Sequence, residues 1–465
     1  MIKKIFSNIF LASLLLFFAC NEKEDAVTVW IGGEIVNPTS NYIILAQGNK
    51  VIDTVLLDSN NFFLYRSDAL KEGLYIIRHN ETQVMYVESG DSLMLHLNTI
   101  DFDESLAYSG KGAEKNNLLM SFFLINENEN KVLPQWYTLS PDAYTQKIDS
   151  LKVSKEALYD QFLNKHPNAT EGFKKVARVS IDYDYYLKKE LYALGNTHRA
   201  ASIDDSFFAY RQQIDINNEK LRYYYPYYRF LLVYFDNQAA KQLGDASERY
   251  SYEFSNARLN AIQQAISNDS IRNNLARNTA LRFYFNGHRK QDELEKFLTD
   301  FDNINNNPKY IAEVQKVHNT AIKIAAGKTV PNISLLTADN NVTTLHELID
   351  KPTVLFFWSY KYLRQAESIH NRAGELKAKY PEYNFISINT DDHFRRWRNF
   401  IRTQKYEDSE EFQLENPVDS EHALMLNNLS KSLIIDTDLT ILNGNCTMFQ
   451  PNFEQLLLGY LNRQD

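Results

Sequence analysis

The chain has 465 residues and is 44% hydrophobic, which is enough material for two or three separately buried cores. Its formal net charge of −9 excludes the basic surface that nucleic-acid binding generally requires. The sequence contains no Gly-x-Gly-x-x-Gly or Walker motif and no His-Glu-x-x-His, so we expect neither a nucleotide cofactor nor a catalytic metal.

The amino terminus predicts export and lipid attachment. Residues 1–19 combine a cationic start at Lys3 and Lys4 with an apolar stretch too short to span a bilayer comfortably, the pattern of a signal peptide. Ala19-Cys20 resembles a lipobox, which implies that Cys20 is acylated and that residues 20–25 form a lipidated tether. The alternative is a free thiol in an ordinary signal peptide.

The tether also carries a sorting pattern. Lys23-Glu24-Asp25 resembles the signal that directs Bacteroidota lipoproteins to the outer face of the outer membrane. An acidic chain gains nothing from anionic lipid, so its attachment would depend on the acyl chains. We expect a lipid-anchored outer-membrane protein, on the cell surface or the periplasmic face.

Residues 26–110 predict an antiparallel β-sandwich. They contain seven short runs of alternating or β-branched residues between Gly, Asn, Asp and Ser turns. The runs are Val27–Ile31, Asn41–Ala46, Val51–Leu57, Asn61–Tyr65, Gly73–Arg78, Gln83–Val87 and Ser92–Leu97. With Asp58-Ser59 before an aromatic strand and Glu88–Ser92 after the sixth, the region resembles the uncharacterised β-domain that precedes thioredoxin domains in Bacteroidota lipoproteins.

Residues 111–327 predict a helical middle domain. Apolar residues recur there at spacings of three and four, and prolines fall where helices begin or break. The predicted helices include Ala143–Lys165, Gly172–Leu194, Ser206–Asn237, Ala246–Ser267 and Gln291–Phe301.

Residues 328–465 predict a thioredoxin-like α/β domain, which makes the fold class multidomain α+β. Thr353–Trp358 is a continuous apolar and β-branched run, typical of a strand buried on both faces, and Leu363–Tyr380 is compatible with a helix. This strand and helix, with Gly327–Leu336 upstream, resemble the thioredoxin-like domain of the TlpA/ResA type.

The resemblance implies a redox site that this chain has lost. Counted from Trp358, the family's two cysteines fall on Tyr362 and Gln365, or on Tyr360 and Leu363 if the turn is two residues shorter. Neither alignment supplies the thiolate that thiol–disulfide exchange requires. The family's cis-proline falls on Ser430, where we expect a trans peptide bond.

These features predict a non-catalytic lipoprotein that acts as a protein-binding scaffold or accessory subunit of an envelope assembly. Its partner would be another envelope protein or an outer-membrane complex. The predicted binding face contains Trp358, Tyr360, Tyr362, Gln365 and Ser430. The alternative is that the two tyrosines only cover the core of their own domain.

Two other functions stay open. Tyrosines in Tyr183–Tyr186 and Tyr223–Phe230 could stack on sugar rings in a glycan-binding accessory protein, or could belong to the core. Cys446, placed after the last predicted strand, could support a residual oxidoreductase or peroxidase activity, or be structural. The carboxylates close in sequence to the tyrosine-rich segments are expected to be solvated on the surface. They are Asp182, Asp184, Glu190, Asp204 and Asp205.

Overall fold

A computed structural model describes residues 28–79, 81–197, 203–244, 249–287, 289–406 and 410–462. Residues 1–25, with the predicted signal peptide, Cys20 and the predicted tether, lie outside these ranges, so the predictions made for them stay predictions. The described residues form two compact units, and the boundary falls between Tyr234 and Phe235, with Ile216–Glu219 assigned to the second unit.

The first unit begins with two four-stranded sheets. The strands are β1 Val29–Val36, β2 Tyr42–Gln47, β3 Lys50–Leu56, β4 Phe62–Ser67, β5 Gly73–His79, β6 Glu81–Val87, β7 Ser92–Asn98 and β8 Ala107–Ser109. The sheet orders are β4-β1-β7-β8 and β3-β2-β5-β6. Alternate residues such as Ile31 and Ile43 enter one shared core, so the seven predicted strands and their face-to-face packing are confirmed.

One pairing differs from the predicted antiparallel pattern. Strands β1 and β7 run parallel, with Trp30 opposite Ser92 and Val36 opposite Asn98. Parallel neighbours need a crossover connection. Here the chain between β1 and β7 builds β2 and β3 in the second sheet, returns for β4, and builds β5 and β6 in the second sheet before it returns again.

Helices follow the sheets in the first unit. They are α1 Phe102–Ser105, α2 Ala113–Trp136, α3 Pro141–Lys165, α4 Glu171–Gly195 and the first part of α5 Tyr225–Leu243. Ser140 and Thr170 cap α3 and α4 by accepting from the amides of Ala143 and Phe173. The predicted helices at these two places are confirmed.

The single helix predicted over Ser206–Asn237 is wrong. Asp205–Gln212 is a 3-10 helix, Glu219–Leu221 is another, and α5 starts at Tyr225. Pro226 is the second residue of α5, and a proline there disfavours helical continuation on its amino-terminal side.

The second unit contains further helices and a seven-stranded mixed sheet. The helices before the sheet are α6 Tyr252–Ala265, α7 Asp269–Phe285, α8 Gln291–Ile304 and α9 Pro308–Lys323. Asn445, in the last strand of the sheet, donates from Nδ2 to the carbonyls of Phe285 (3.1 Å) and Gly287 (3.0 Å). These helices therefore belong to the same compact unit as the sheet.

The sheet resembles the thioredoxin fold. Its strands are β9 Ser334–Leu336, β10 Val342–Thr344, β11 Thr353–Trp358, β12 Asn384–Asn389, β13 Glu410–Leu414, β14 Ser432–Ile435 and β15 Ile441–Cys446. The order is β10-β9-β13-β12-β11-β14-β15, with β11, β12 and β13 parallel and β14 and β15 antiparallel. Its helices are α10 Leu345–Leu348, α11 Leu363–Lys379, α12 Phe394–Gln404, α13 Pro417–Ala423 and α14 Phe453–Leu461.

Candidate functional site

The candidate site lies where the central strand β11 gives way to α11. All six residues of β11 are buried, as the continuous apolar run predicts. Helix α11 begins at Leu363, so Tyr362 is its N-cap residue and Gln365 lies in its first turn. A family dithiol at 362 and 365 would sit at the helix N-terminus, whereas one at 360 and 363 would begin outside it.

Gln365 stands where that alignment puts the second cysteine, and its amide joins two parts of the site. Its Nε2 donates to the carbonyl of Phe357 (3.1 Å) and to the carbonyl of Leu429 (3.2 Å). The Leu429 carbonyl belongs to the peptide bond that precedes Ser430. The side chain therefore joins the end of β11 to the Ser430 loop.

The aromatic side chains of the predicted binding face divide into two groups. Trp358 is fully buried and Tyr360 is 4% exposed, both in the core cluster that α11, α12 and α14 cover. Tyr362 is 62% exposed and the following Leu363 is 60% exposed. Tyr360 therefore covers the core of its own domain, while Tyr362 and Leu363 present a large apolar surface to solvent.

Asp391 is a site residue that the sequence analysis missed. It is buried in the loop, two residues after the end of β12, and it accepts hydrogen bonds from Ser359 Oγ (2.8 Å) and the Tyr360 amide (2.9 Å). Lys361 Nζ lies 3.5 Å from its carboxylate. Its position just beyond a parallel strand next to β11 was a usable signal, because the carboxyl ends of parallel strands meet at one edge.

The Ser430 loop carries a second unexpected residue. Ser430 is exposed, and every peptide bond among the described residues is trans, including the one before it. The adjacent Lys431 is 3% exposed, and its Nζ donates to the carbonyls of Leu424 (2.7 Å) and Met425 (3.2 Å). Burial lowers the pKa of Lys431 to about 7.

Cys446 was predicted to follow the last strand, and this is wrong. It is the final residue of β15, opposite Ser432, because that strand is longer than the sequence pattern indicates. The thiol is buried, and its Sγ donates to the Ser432 carbonyl at 3.3 Å. Burial raises the pKa of Cys446 to about 12, so the group stays a neutral thiol near neutral pH.

A buried polar cluster lies beside Trp358. His370 Nε2 is 3.0 Å from a Glu411 oxygen and 3.2 Å from Ser387 Oγ, while its Nδ1 faces the Ala366 carbonyl at 2.6 Å. In a nucleophile triad the hydroxyl and the carboxylate take opposite ring nitrogens. Here both face Nε2 and all three side chains are buried, so the geometry favours a structural role.

The tyrosines of the first unit lie largely in its core. Tyr183 packs against Tyr227 and Phe230 with ring centroids 5.2 and 5.3 Å apart, and Tyr186 stacks on Tyr210 at 4.6 Å. Tyr225 is the exposed member, with 45% of its surface accessible. This arrangement favours the core interpretation of the tyrosine-rich segments.

The expectation of solvated carboxylates is wrong for Asp184 and Glu190. Asp184 is buried with Glu129 against Lys155 and Lys188, whose amines lie 2.7 and 2.9 Å from Glu129. Glu190 is also buried, and it accepts two bonds from the Arg211 guanidinium and one from the Tyr210 hydroxyl. Ion pairing makes this burial tolerable, with Lys188 four residues after Asp184 and with Lys155 and Arg211 distant in sequence.

Within the described ranges, no group of three His, Cys, Asp or Glu side chains is arranged to hold a metal ion. In the same part of the chain, no helix is both long and apolar enough to cross a membrane.

Comparisons with known proteins find solved structures similar to part of the chain. No family model and no curated protein matches it. A thioredoxin-like protein from Bacteroides caccae covers 60% of this chain and 93% of its own, with 11% identity and a TM-score of 0.39. A domain of a possible thiol-disulfide isomerase from Cytophaga hutchinsonii covers 30% and 95%, with 18% identity and a TM-score of 0.27.

A third similar structure is the thioredoxin domain of a thiol-disulfide oxidoreductase from Bacteroides vulgatus. It covers 30% of this chain and 97% of its own length, with 15% identity and a TM-score of 0.23. The present chain has two cysteines in all, and the described one, Cys446, forms no disulfide.

Proposed function

We propose that this chain is a non-catalytic, lipid-anchored outer-membrane protein whose thioredoxin-like domain binds another envelope protein. The observation that carries the proposal is the Gln365 amide, which takes the place of a cysteine and bonds the carbonyls of Phe357 and Leu429. Because this amide stands at a cysteine position and bonds to main-chain carbonyls, the site has no thiol for electron transfer. We therefore infer that the site binds a partner.

The thiol chemistry of the domain supports the same conclusion. Disulfide exchange needs an accessible thiolate, and the low pKa that produces one comes from a helix N-terminus or a nearby cation. Cys446 has the opposite environment, because it is buried at the end of a strand and its pKa is raised to about 12. A residual oxidoreductase or peroxidase role for Cys446 is therefore disfavoured.

The exposed pair Tyr362 and Leu363 supports binding. Both side chains are more than half exposed at the start of α11, where a solvated turn does not need two large apolar residues. Tyrosine is among the residues most often found as binding hot spots, where truncation costs about 2 kcal/mol or more. Tyr362 of the predicted face and the neighbouring Leu363 are thus available to a partner.

The membrane attachment in this proposal depends on Cys20. The acidic composition gives the chain no attraction to anionic lipid headgroups, whereas several acyl chains on one cysteine would hold it durably. The partner would then be another envelope protein or an outer-membrane complex encountered on the same membrane.

Co-purification from native membranes after mild detergent tests this function. The change is Tyr362→Ser with Leu363→Ser, and the matched control is Val342→Ser, an exposed apolar residue on the edge strand β10. We expect the double variant to lose a discrete partner that the wild type and the control retain, with unchanged melting temperature. A partner retained by the double variant would contradict the proposal.

A further inference from the structure

Helix α12 has a charge pattern unlike the rest of this acidic chain. Its eleven residues, Phe394–Gln404, contain four arginines and no carboxylate, and Lys405 follows directly. Trp397 and Ile401 are buried, so the helix turns its apolar side into the domain. Arg395, Arg396 and Arg402 are exposed, and Arg398 is half buried. We call these four arginines with Lys405 the basic face.

The positive charges of the basic face destabilise helix α12. Arg395 and Arg396 occupy the first turn, where the helix dipole favours negative charge. Arg395 and Arg398 are three residues apart and Arg398 and Arg402 four apart, spacings at which like charges repel. Arg395 and Arg398 gain no ion pair within the described part of the chain in return, which points to an anion supplied from outside.

The described part of the chain supplies little compensation. None of its carboxylates forms an ion pair with Arg395, Arg396 or Arg398. The Nε of Arg398 is buried and has no hydrogen-bond partner among the described residues. The guanidinium groups of Arg395, Arg396 and Arg398 therefore have no carboxylate partner within the described part of the chain.

The basic face adjoins the candidate site. The Arg396 guanidinium lies over the Tyr360 ring, 4.7 Å from its centroid. Lys361, exposed in the intervening turn, faces Asp391, which lies three residues before α12. Arg396 and Lys361 thus lie at the carboxyl edge of β11 and β12, beside the turn that leads to the exposed Tyr362 and Leu363.

We propose that this surface binds an acidic segment of the partner polypeptide, with carboxylates on the basic face and apolar side chains against Tyr362 and Leu363. Guanidinium groups bind carboxylates through two parallel hydrogen bonds, and arginine with tyrosine is the combination enriched in protein interfaces. This inference rests on the proposed function and specifies the chemistry of its partner.

A lipid surface fits this geometry less well. An amphipathic helix that lies on a membrane directs its aromatic and aliphatic side toward the lipid. In α12 that side, with Trp397 and Ile401, is buried in the core cluster that also contains Trp358. The charged side alone faces outward, which suits a carboxylate-rich polypeptide.

The test measures fluorescence anisotropy of a short fluorescein-labelled peptide of Glu, Asp, Leu and Tyr. Its neutral twin replaces each Glu and Asp by Gln and Asn. The protein is the full mature chain, as wild type, as Arg395→Gln/Arg398→Gln, and as the control Lys309→Gln/Lys316→Gln. The control removes the same charge from exposed positions on α9.

We expect the acidic peptide to bind, with affinity that falls as salt rises, and the neutral twin to bind at least about tenfold more weakly. The arginine variant should weaken binding about threefold to thirtyfold, because two exposed ion pairs are lost, and the control less than about twofold. The melting temperature of the arginine variant should equal or exceed that of the wild type, because the substitutions remove repulsion between like charges on α12.

Three results would overturn the inference: no binding of the acidic peptide, equal weakening by both double variants, or binding of phosphatidylglycerol vesicles through the same arginines in its place. Failure here is distinct from failure of the proposed function. If Tyr362→Ser/Leu363→Ser abolishes co-purification while the arginine variant binds normally, the acidic-segment inference alone fails. If only the arginines matter, the proposed role of the exposed pair fails.

Discussion

Replacing Gln365 by Glu tests the internal closure of the candidate site. The substitution keeps size and shape and changes one group, since a donor amide becomes a carboxylate that can only accept. The two carbonyls now bonded by Nε2, those of Phe357 and Leu429, would then face an acceptor. Both hydrogen bonds are lost and a repulsion is added.

The expected loss follows from those two bonds. Each contributes about 0.5–1.5 kcal/mol, so Gln365→Glu should cost at least about 1–3 kcal/mol near neutral pH. With a urea slope of about 2 kcal/mol/M, the unfolding midpoint should fall by about 0.5–1.5 M. The unpartnered Oε1 of Gln365 has a counterpart in Glu, so its contribution cancels.

The destabilisation should depend on pH. The introduced carboxyl faces two carbonyl oxygens, so its pKa in the folded state should be raised above the unfolded value of about 4.3. The free energy of unfolding of the variant then falls as pH rises through the raised pKa. It recovers on acidification, because a protonated carboxyl can donate to one carbonyl. Unfolding curves in urea near pH 7 and near pH 4.5 measure both effects.

The matched control is Gln404→Glu, an exposed position at the end of α12. It should change stability by no more than about 0.5 kcal/mol, as surface substitutions usually do. The reasoning is refuted if Gln365→Glu destabilises no more than this control, or if its effect does not change between the two pH values.

Three further predictions follow from the buried thiol, the buried amine and the proposed anchor. With Cys20→Ala removing the other thiol, the folded protein should react with iodoacetamide at pH 8 only as fast as it unfolds, because burial raises the pKa of Cys446 to about 12; rapid stoichiometric alkylation would contradict this. Lys431 has a folded pKa of about 7, below its unfolded value, so the unfolded state binds more protons between pH 7 and about 10.4. The free energy of unfolding of the wild type should therefore rise with pH across that window relative to that of Lys431→Met. Parallel pH profiles for the two proteins would contradict the lowered pKa of Lys431. Finally, Cys20→Ala should leave the protein unprocessed or released from the outer membrane, and a mature variant that still fractionates with that membrane would disprove lipid anchoring.

The local patterns of the sequence predicted much of the fold. The seven amino-terminal strands and the buried run Thr353–Trp358 depend on side-chain periodicity, which the sequence contains directly. The parallel pairing of β1 with β7 depends on where the chain returns after a crossover, and no local pattern encodes it. The error over Ser206–Asn237 had a local signal, because Pro226 disfavours helix before it.

The candidate site was predictable in position and less so in detail. The resemblance placed the erased cysteines, but only the structure separates the buried Tyr360 from the exposed Tyr362 two residues later. Asp391 and Lys431 bond to groups brought together by the sheet and by the loop after α13. Asp184 pairs with Lys188, four residues along its own helix, and with Lys155 on another helix, and only the first partner is visible to spacing along one segment.

The most direct test of the proposed binding role is site-specific photocrosslinking in native membranes. A benzophenone side chain is introduced at Tyr362, and at Lys309 on α9 as the control position. We predict one discrete adduct with an envelope protein from position 362 and none from position 309. The yield of this adduct should not depend on reducing agent. The absence of an adduct at 362, or the same adducts from both positions, would contradict it.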